Sequence, residues 1–235
     1  MQTKESSNQR TIVTYAVLAG LTPLIPIPFV DDLAKAYFKR RMVRLIAKSR
    51  NQLFDNEQIK TLADDKDSGC LLGCLTAVTI YPLKKIFRKI FFFLEWKRAI
   101  DTVSHTYYQG YLIDYALNEQ WIAPYGPAPA EKIRSGLDTV LRQTNTSLIE
   151  RAVVETFKQS KSALKNAAGL MKRALGRLPR RAPEDQVERA IESIEREEER
   201  EVEGAVNQLM KSINSLPSDH FERIKALLAA ELNRQ

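Results

Sequence analysis

The stretch "TIVTYAVLAGLTPLIPIPFV" (residues 11–30) contains no charged residue, and it decides how the rest of the chain is interpreted. Its length suits a membrane span, which needs about 20 apolar residues. Its three prolines do not, because each removes a backbone donor and clashes with the preceding helical turn. We therefore expect a helix to about Leu21, an extended elbow through "TPLIPIP", and a second helix that begins near Asp31, capped by a carboxylate.

The composition indicates an all-α protein. The chain of 235 residues has only nine glycines and ten prolines, and strand-like alternation of β-branched residues is scarce. Hydrophobic residues make up 44% and charged residues 28%, which is ordinary for a globular protein and excludes a multi-span transporter. We expect an irregular helical bundle that contains a Pro-broken apolar hairpin near its start and a C-terminal helical hairpin.

Capping signals place several further helices. Asp55 and Gln58 have the spacing of a capping box, which predicts a short helix from this point. Residues 131–143 form a second short helical pattern. Ser147 and Glu150 have capping-box spacing as well, and they open a long amphipathic pattern.

Charge divides the chain into two parts. Residues 1–183 hold 29 Lys/Arg against 16 Asp/Glu, a balance of +13, whereas the remainder holds 7 against 13, a balance of −6. "GRLPRRAP" (residues 176–183) reads as a hinge between them. We expect a membrane-associated helical domain over residues 1–178 and a charged C-terminal helical hairpin over residues 184–235. So small a hairpin rarely folds alone, and its negative charge favours docking on the basic region or on a partner.

A second uncharged run, residues 69–83, leads into the helical pattern "PLKKIFRKIFFFLEWKRAI". Its apolar side chains cover an arc of about 140° and its cations point elsewhere, a pattern typical of a helix that lies in a lipid headgroup layer. The candidate membrane-binding residues are Lys84, Lys85, Ile86, Phe87, Arg88, Lys89, Ile90, Phe91 and Leu94. Four cations near an anionic surface would contribute about 4 kcal/mol.

Two ordinary membrane spans fit the charges poorly. If both uncharged runs crossed the membrane, the connection over residues 31–67, with nine Lys/Arg, should be cytoplasmic. The basic cluster after the second run would then lie outside, against the positive-inside tendency. A shallow or surface-lying hairpin keeps all basic clusters on one side. The other interpretation is that these apolar faces form the core of a soluble helical bundle. For residues 11–30 we expect membrane contact, because so long an uncharged run is uncommon in bundles.

The N-terminal stretch also carries a short motif, which consists of Gly20, Leu21, Pro26, Pro28, Asp31 and residues 42–47, the last beginning with Met42. This motif resembles a bacterial family of helical inner-membrane domains of unknown function that are often fused to, or encoded beside, GTPases. The match covers about 30 of the 235 residues. It departs from the family in having Phe29 after the second proline and in lacking a GTPase domain. The resemblance implies inner-membrane association and supplies no catalytic residue.

Residues that could carry chemistry have stronger structural interpretations. Cys70 and Cys74 could accept acyl chains beside a membrane, but small buried thiols are the commoner case. His105, one turn after Asp101, could act as a base, yet a lone His–Asp pair without a nucleophile is usually structural. Two aspartates at positions 31 and 32 most often cap a helix.

Other features set the expected partners. No nucleotide-binding glycine motif is present, and we expect no catalytic residue, cofactor or metal. The tyrosines and tryptophans between residues 96 and 125 could form an interfacial belt, stack on bases, or pack in a helical core. The run "ESIEREEEREVEG" is typical of a solvated helix face or an acidic docking surface.

Together these observations predict a non-enzymatic, bacterial, membrane-associated accessory or scaffold protein on the cytoplasmic side of the inner membrane. It would attach peripherally or through a shallow hairpin to an anionic membrane surface. A protein partner is also expected, and the resemblance suggests a GTPase or a membrane complex. Nucleic acid is not the expected partner. The alternative is a soluble, cytoplasmic all-α adaptor whose basic half binds nucleic acid or an acidic protein.

Overall fold

The computed structural model describes residues 2–25, 27, 30–65, 88–122, 130–179 and 182–234, with the side chains in these ranges except those of residues 2–6 and 88–93. Within these ranges the chain forms ten α-helices and one short 3-10 helix, and no strand. The expected all-α fold class is therefore confirmed.

The helices differ widely in length. In chain order they are α1 (Gln2–Leu21), the 3-10 helix (Thr22–Leu24), α2 (Val30–Ser49), α3 (Asn56–Ala63), α4 (Arg88–Asn118), α5 (Ala130–Gln143), α6 (Ser147–Gln159), α7 (Lys161–Leu175), α8 (Glu184–Glu192), α9 (Glu195–Asn214) and α10 (Ser218–Arg234).

Helix α1 lies at the centre of the bundle. It packs against α2, α4 and α9, and from Ile12 to Leu21 every residue except Thr14 is buried. Of the two interpretations of this uncharged stretch, the protein core is the one that the structure shows for these residues. None of the described helices combines the length and the apolar character that a membrane crossing requires.

The chain breaks after Leu21 as expected, but residues 22–24 form a 3-10 helix instead of the extended start of an elbow. Helix α1 ends at Leu21, the 3-10 helix carries Pro23 in its first turn, and the Ile25 amide donates to the Thr22 carbonyl at 3.0 Å. Helix α2 then begins at Val30 with two aspartates in its first turn, and α1 and α2 pack on each other as a hairpin. Two other motif positions, prolines 26 and 28, lie outside the described residues.

Two glycines allow the central helices to approach closely. A methyl group added at Gly20 would lie 2.2 Å from a Val103 methyl carbon, so α1 and α4 cross in near backbone contact at this point. On the next turns of α4, a methyl group at Gly110 would lie 2.8 Å from the Met42 sulfur and 2.9 Å from Ile12. The motif positions Gly20 and Met42 therefore have packing roles in the core.

One of the two expected capping boxes is correct. The Gln58 amide donates to the Asp55 carboxylate at 2.7 Å, and the Asp55 amide donates to the Gln58 side chain at 3.2 Å. The second is wrong, because α6 begins at Ser147 itself, so this residue does not cap it. The Thr146 hydroxyl instead donates to the Glu150 carboxylate, which engages that carboxylate outside the expected box.

Two long helical patterns are interrupted. The pattern that starts at Ser147 breaks at Ser160, where the backbone leaves helical geometry and α6 gives way to α7. The charged pattern after the hinge breaks at Ser193 and Ile194, between α8 and α9. Apolar spacing runs through both breaks, so periodicity alone could not show them.

The acidic C-terminal part docks on the basic part, as its charge suggested. Helix α9 packs against α1, α6 and α7, and Arg10 of α1 donates to Glu203 at 2.9 Å. Arg41 of α2 contacts Glu195 at 3.1 Å, and Arg40 pairs with a carboxylate of α8. Helix α10 packs mainly on α5. The two helices of the expected hairpin are joined by a short turn, but each finds its main partners elsewhere in the bundle.

Glu198 is an unusual buried group in α9. Its side chain has 0% exposure, and neither carboxylate oxygen has a hydrogen-bond partner among the residues that the structure describes. Burial, reinforced by the charges of Glu195 and Glu199, raises the pKa of Glu198 from 4.5 to about 8. At neutral pH the folded chain therefore holds this carboxyl in its protonated form.

We predict that Gly20→Ala destabilises the protein by about 1 to 3 kcal/mol, because the added methyl group forces α1 and α4 apart. Gly204→Ala is the matched control, since a methyl group there meets no atom within 4 Å. That control should be neutral or stabilising by up to about 1 kcal/mol, through better helix propensity. Urea unfolding measures both, and equal stabilities for the two variants would contradict the close crossing.

We predict that Glu198→Gln stabilises the protein by about 1 to 3 kcal/mol at pH 7. Because the folded-state pKa of Glu198 is raised, folding takes up a proton between pH 4.5 and about 8, and stability falls as pH rises through that window. The variant should flatten this fall. Thermal unfolding from pH 5 to 8 measures it, with the exposed Glu197→Gln as control. If Glu198→Gln and the wild type show the same dependence of stability on pH, Glu198 is not buried without a compensating partner.

Candidate functional site

The candidate membrane-binding residues fall mostly outside the described side chains. Residues 84–87 lie outside the described residues, and residues 88–91 are described only as the helical backbone at the start of α4. Leu94 is described, and 50% of it is exposed. The structure therefore shows that this sequence continues as helix into the bundle and that its last candidate residue faces outward.

The start of α4 is held to the bundle by an aromatic contact. Trp96 meets Phe157, which is buried at the end of α6, with 5.3 Å between ring centroids and an interplanar angle of 64°. Ala99, one turn later, is buried at the crossing with α1. Lys97, between them, is exposed. An exposed apolar side chain and an exposed cation thus lie side by side where α4 emerges from the bundle.

A second candidate feature is a buried charged cluster formed by Lys39, Asp65, His105, Arg134 and Asp138. Lys39 and Arg134 are only 1% and 2% exposed. The Lys39 ammonium lies 2.5 Å from Asp65, and Arg134 lies 2.9 Å from Asp138 and 3.7 Å from Asp65. Helices α2, α4 and α5 each contribute to the cluster, and it lies at the C-terminal end of α3.

Residues in and beside the cluster also donate hydrogen bonds to the unpaired carbonyl groups at the end of α3. The last carbonyl groups of α3 have no partner within the helix and lie at its negative pole. Gln109 donates to the Leu62 carbonyl at 2.8 Å and to the Ala63 carbonyl at 3.1 Å. Arg134 donates to the same Leu62 carbonyl at 3.0 Å. A cation buried against a helix C-terminus is stabilised by both the hydrogen bond and the dipole.

Burial and neighbouring charges shift the pKa values of Lys39, Asp65 and His105. Burial lowers the pKa of Lys39 to about 8, although Asp65 opposes the shift. Burial alone would raise the pKa of Asp65, but the charge and hydrogen bond of Lys39 lower it to about 2. Burial, followed by the positive charge of Lys39, lowers the pKa of His105 to about 4. The imidazole is therefore neutral at physiological pH.

This arrangement supports structure rather than acid–base chemistry. Asp101, the carboxylate expected to orient His105, is exposed, and the charges that act most on His105 are those of the cluster. Lys39 is paired with a carboxylate, and His105 faces cations that hold it neutral. In the described ranges no group of three His, Cys, Asp or Glu could hold a metal ion. Cys70 and Cys74 lie outside the described residues.

Two clefts among the described residues lie away from this cluster. One, of about 600 Å³, is lined by charged residues of α2 and α9, including Arg41, Glu195 and Arg200. A second, of about 670 Å³, lies between α1 and α9 and includes Tyr15 and Arg10. The Tyr15 hydroxyl lies 2.8 Å from Glu195, so these clefts follow the ion-paired seam along which α9 docks.

The tyrosines of α4 pack in the protein. Tyr107 and Tyr108 are buried, and the Tyr108 hydroxyl lies 2.7 Å from a ring nitrogen of His220. Tyr111 packs against Phe221 with 5.2 Å between ring centroids. Of the three roles considered for the aromatic residues, the structure therefore shows packing in the helical core for these tyrosines. Their rings pack against the first turn of α10.

The cluster fixes the chain just before the segment that carries the candidate membrane sequence. Asp65 is the last described residue before residues 66–87, and Leu94 follows shortly after that segment. His105, which lies in the cluster, is eleven residues beyond Leu94, or about 16 Å along α4. Asp65 thus holds the chain to the bundle before this segment, and the Trp96–Phe157 contact holds it after the segment.

Comparison with known proteins adds no relative. No protein-family model matches the chain, and neither a curated protein nor a solved structure matches it. The resemblance of residues 20–47 to the GTPase-associated inner-membrane family therefore rests on the motif residues themselves.

We predict that Asp65→Asn destabilises the protein by about 3 kcal/mol at pH 7, because the buried Lys39 and Arg134 would lose the carboxylate that offsets their charges. The stabilisation from Asp65 is present above pH 3.8 and is lost as pH falls towards 2, since its folded-state pKa is lowered. The variant should therefore lose less stability than the wild type between pH 4 and pH 2.

The matched control is Asp32→Asn. This carboxylate is 58% exposed, so its ion pair with Lys35, at 3.4 Å, is screened by solvent. It should cost less than about 1 kcal/mol. Denaturant unfolding at pH 7 and at several acid pH values measures both variants. Similar costs for Asp65→Asn and Asp32→Asn would show that the cluster does not hold the end of α3.

Proposed function

We propose that this chain is a non-enzymatic, membrane-associated accessory or scaffold protein, whose helical body attaches peripherally to an anionic membrane surface through the first turns of α4. The observation that carries the proposal is the position of Leu94. This large apolar side chain is half exposed beside the exposed Lys97, at the point where α4 leaves the bundle.

The sequence before Leu94 supports the same surface. "KKIFRKIFFFL" combines closely spaced cations with isoleucine and phenylalanine side chains, and α4 is already helical at Arg88. A helix of this kind lies in the headgroup layer with its apolar face buried, and its affinity grows with apolar area and with anionic lipid content. Large apolar side chains left outside a core mark an interaction site when they are contiguous.

The burial of α1 points to attachment by α4 rather than by the N-terminal stretch. The apolar side chains of α1 are committed to α2, α4 and α9, so exposing them to lipid would dismantle the core. A peripheral attachment keeps the bundle intact. The Trp96–Phe157 contact then fixes the membrane-facing turns of α4 to the rest of the bundle.

The resemblance of residues 20–47 suggests the compartment and the partner. It favours the cytoplasmic face of a bacterial inner membrane, and a GTPase or membrane complex as the protein that this scaffold recruits. Exposed carboxylates on α8 and α9, among them Asp185, Glu192 and Glu197, offer a polar surface for such a partner.

The test compares vesicle binding of the wild type with a variant that carries Phe87→Ser, Phe91→Ser and Leu94→Ser. The wild type should sediment with phosphatidylglycerol-containing vesicles, and the variant should lose at least tenfold in affinity while circular dichroism shows unchanged helix content. Loss of three apolar side chains from the headgroup layer is the physical reason.

Leu53→Ser is the matched control, because Leu53 is 83% exposed on the connection between α2 and α3 and lies outside the proposed surface. It should bind vesicles like the wild type. A wild type that ignores anionic vesicles would refute the proposal. So would a triple variant that unfolds yet still binds, because the three side chains would then belong to a core.

A further inference from the structure

The outward face of α7 is uniformly basic. Helix α7 contains no acidic residue. The exposed cations of α7 and the turn that follows it are Lys161, Lys165, Lys172, Arg173 and Arg177. We refer to these five residues as the α7 basic face. Its opposite side, with Leu164 and Met171, is buried against the bundle.

The cations surround a glycine. At 100° per residue they cover an arc of about 160° whose centre falls at Gly169, and from first to last they extend about 24 Å along the helix. A methyl group added at Gly169 would meet no atom within 4 Å. Packing inside the protein therefore does not explain the residue. The middle of the face is open and low, with long cationic side chains on both sides of it.

Glu201 of α9 accepts a hydrogen bond from Asn166 on this side of α7 at 3.3 Å, but no described carboxylate pairs with a cation of the face. By contrast, Arg10, Arg40 and Arg41 pair with the acidic helices α8 and α9. The docked tail therefore neutralises the cations of α1 and α2 and leaves those of α7 exposed. Five like charges on one helix repel each other, and a bound anionic surface relieves that repulsion.

The α7 basic face begins close in the chain to the residue that holds the start of α4. Phe157, which contacts Trp96, lies in the last turn of α6, and α7 begins at Lys161 only one turn further along the chain. Lys158, between them, is exposed as well. The exposed cations therefore begin next in the chain to the contact that holds the start of α4.

We propose that the α7 basic face is a second contact with the anionic membrane surface, lying along the lipid phosphates while the start of α4 inserts its apolar side chains. This inference rests on the proposed peripheral attachment and adds what α4 alone cannot supply, which is a fixed orientation of the body. One inserted helical turn leaves the bundle free to rotate about it, whereas a second contact about 24 Å long removes that freedom.

Lipid fits this face better than nucleic acid does. The face carries no exposed aromatic side chain on which a base could stack. The proposed attachment through Leu94 also favours lipid, because an exposed apolar side chain gains from the headgroup layer and gains nothing from a phosphate backbone. Duplex DNA is therefore the competing ligand in the test.

The experiment removes three charges from the face of the full-length chain, by Lys165→Gln, Lys172→Gln and Arg173→Gln. The control removes three exposed cations elsewhere, by Lys48→Gln, Lys211→Gln and Arg223→Gln, so both variants have the same net charge. Binding to phosphatidylglycerol-containing and to phosphatidylcholine vesicles is measured at 0.1 M salt. Each cation near an anionic surface contributes about fivefold in affinity, so the α7 variant should bind the anionic vesicles at least tenfold more weakly than the control.

The outcomes separate this inference from the proposed function. If the α7 variant binds like its control while the α4 variant fails to bind, the inference is wrong and the attachment through α4 stands. If the wild type binds neither kind of vesicle, both are wrong. Tighter binding to duplex DNA than to anionic vesicles, lost in the α7 variant, would assign the face to nucleic acid and overturn the inference. Circular dichroism confirms that each variant is folded.

Discussion

The close crossing of α1 with α4 is the contact on which the rest of the bundle depends. Gly20 lets the two backbones approach so nearly that the Val103 side chain fills the space of a missing methyl group, and Gly110 repeats the arrangement beside Met42. With α1 held this way, its remaining sides receive α2 and α9. The part of α1 from Ile12 to Leu21 is buried almost completely and is therefore apolar on nearly every side, which is why it has the composition of a membrane segment.

Charge then places the outer helices. The acidic tail follows the cations of α1 and α2, and Arg10 and Arg41 mark the seam. The buried charged cluster around Lys39 and Asp65 closes the end of α3 with hydrogen bonds that its carbonyl groups would otherwise lack. Glu198 is the opposite case, a carboxyl buried without a partner, which costs stability at neutral pH. Charged groups inside this bundle are therefore tolerated where a partner or a helix end compensates them.

The proposed membrane-binding surface consists of side chains that do not contribute to the core of the bundle. Leu94 stays half exposed although the neighbouring Trp96 is held by Phe157, and the cations of α7 stay unpaired among the described residues although acidic helices lie in the same body. Covering Leu94 and neutralising the cations of α7 would both make the folded state more stable. Both are instead left facing outward, as a peripheral contact with an anionic layer requires.

The sequence by itself determined the helical class, the break after Leu21 and the Asp55 capping box, because these depend on local backbone chemistry. Its net charge favoured docking of the acidic tail on the basic region or on a partner, and the structure shows docking on the basic region. The sequence could not decide whether residues 12–21 meet lipid or protein, since both environments reward the same apolar side chains. Nor could it show the break at Ser160 or the burial of Lys39 and Glu198. A charge at a given helical position is solvated or buried according to which helix packs there, and only the tertiary structure decides that.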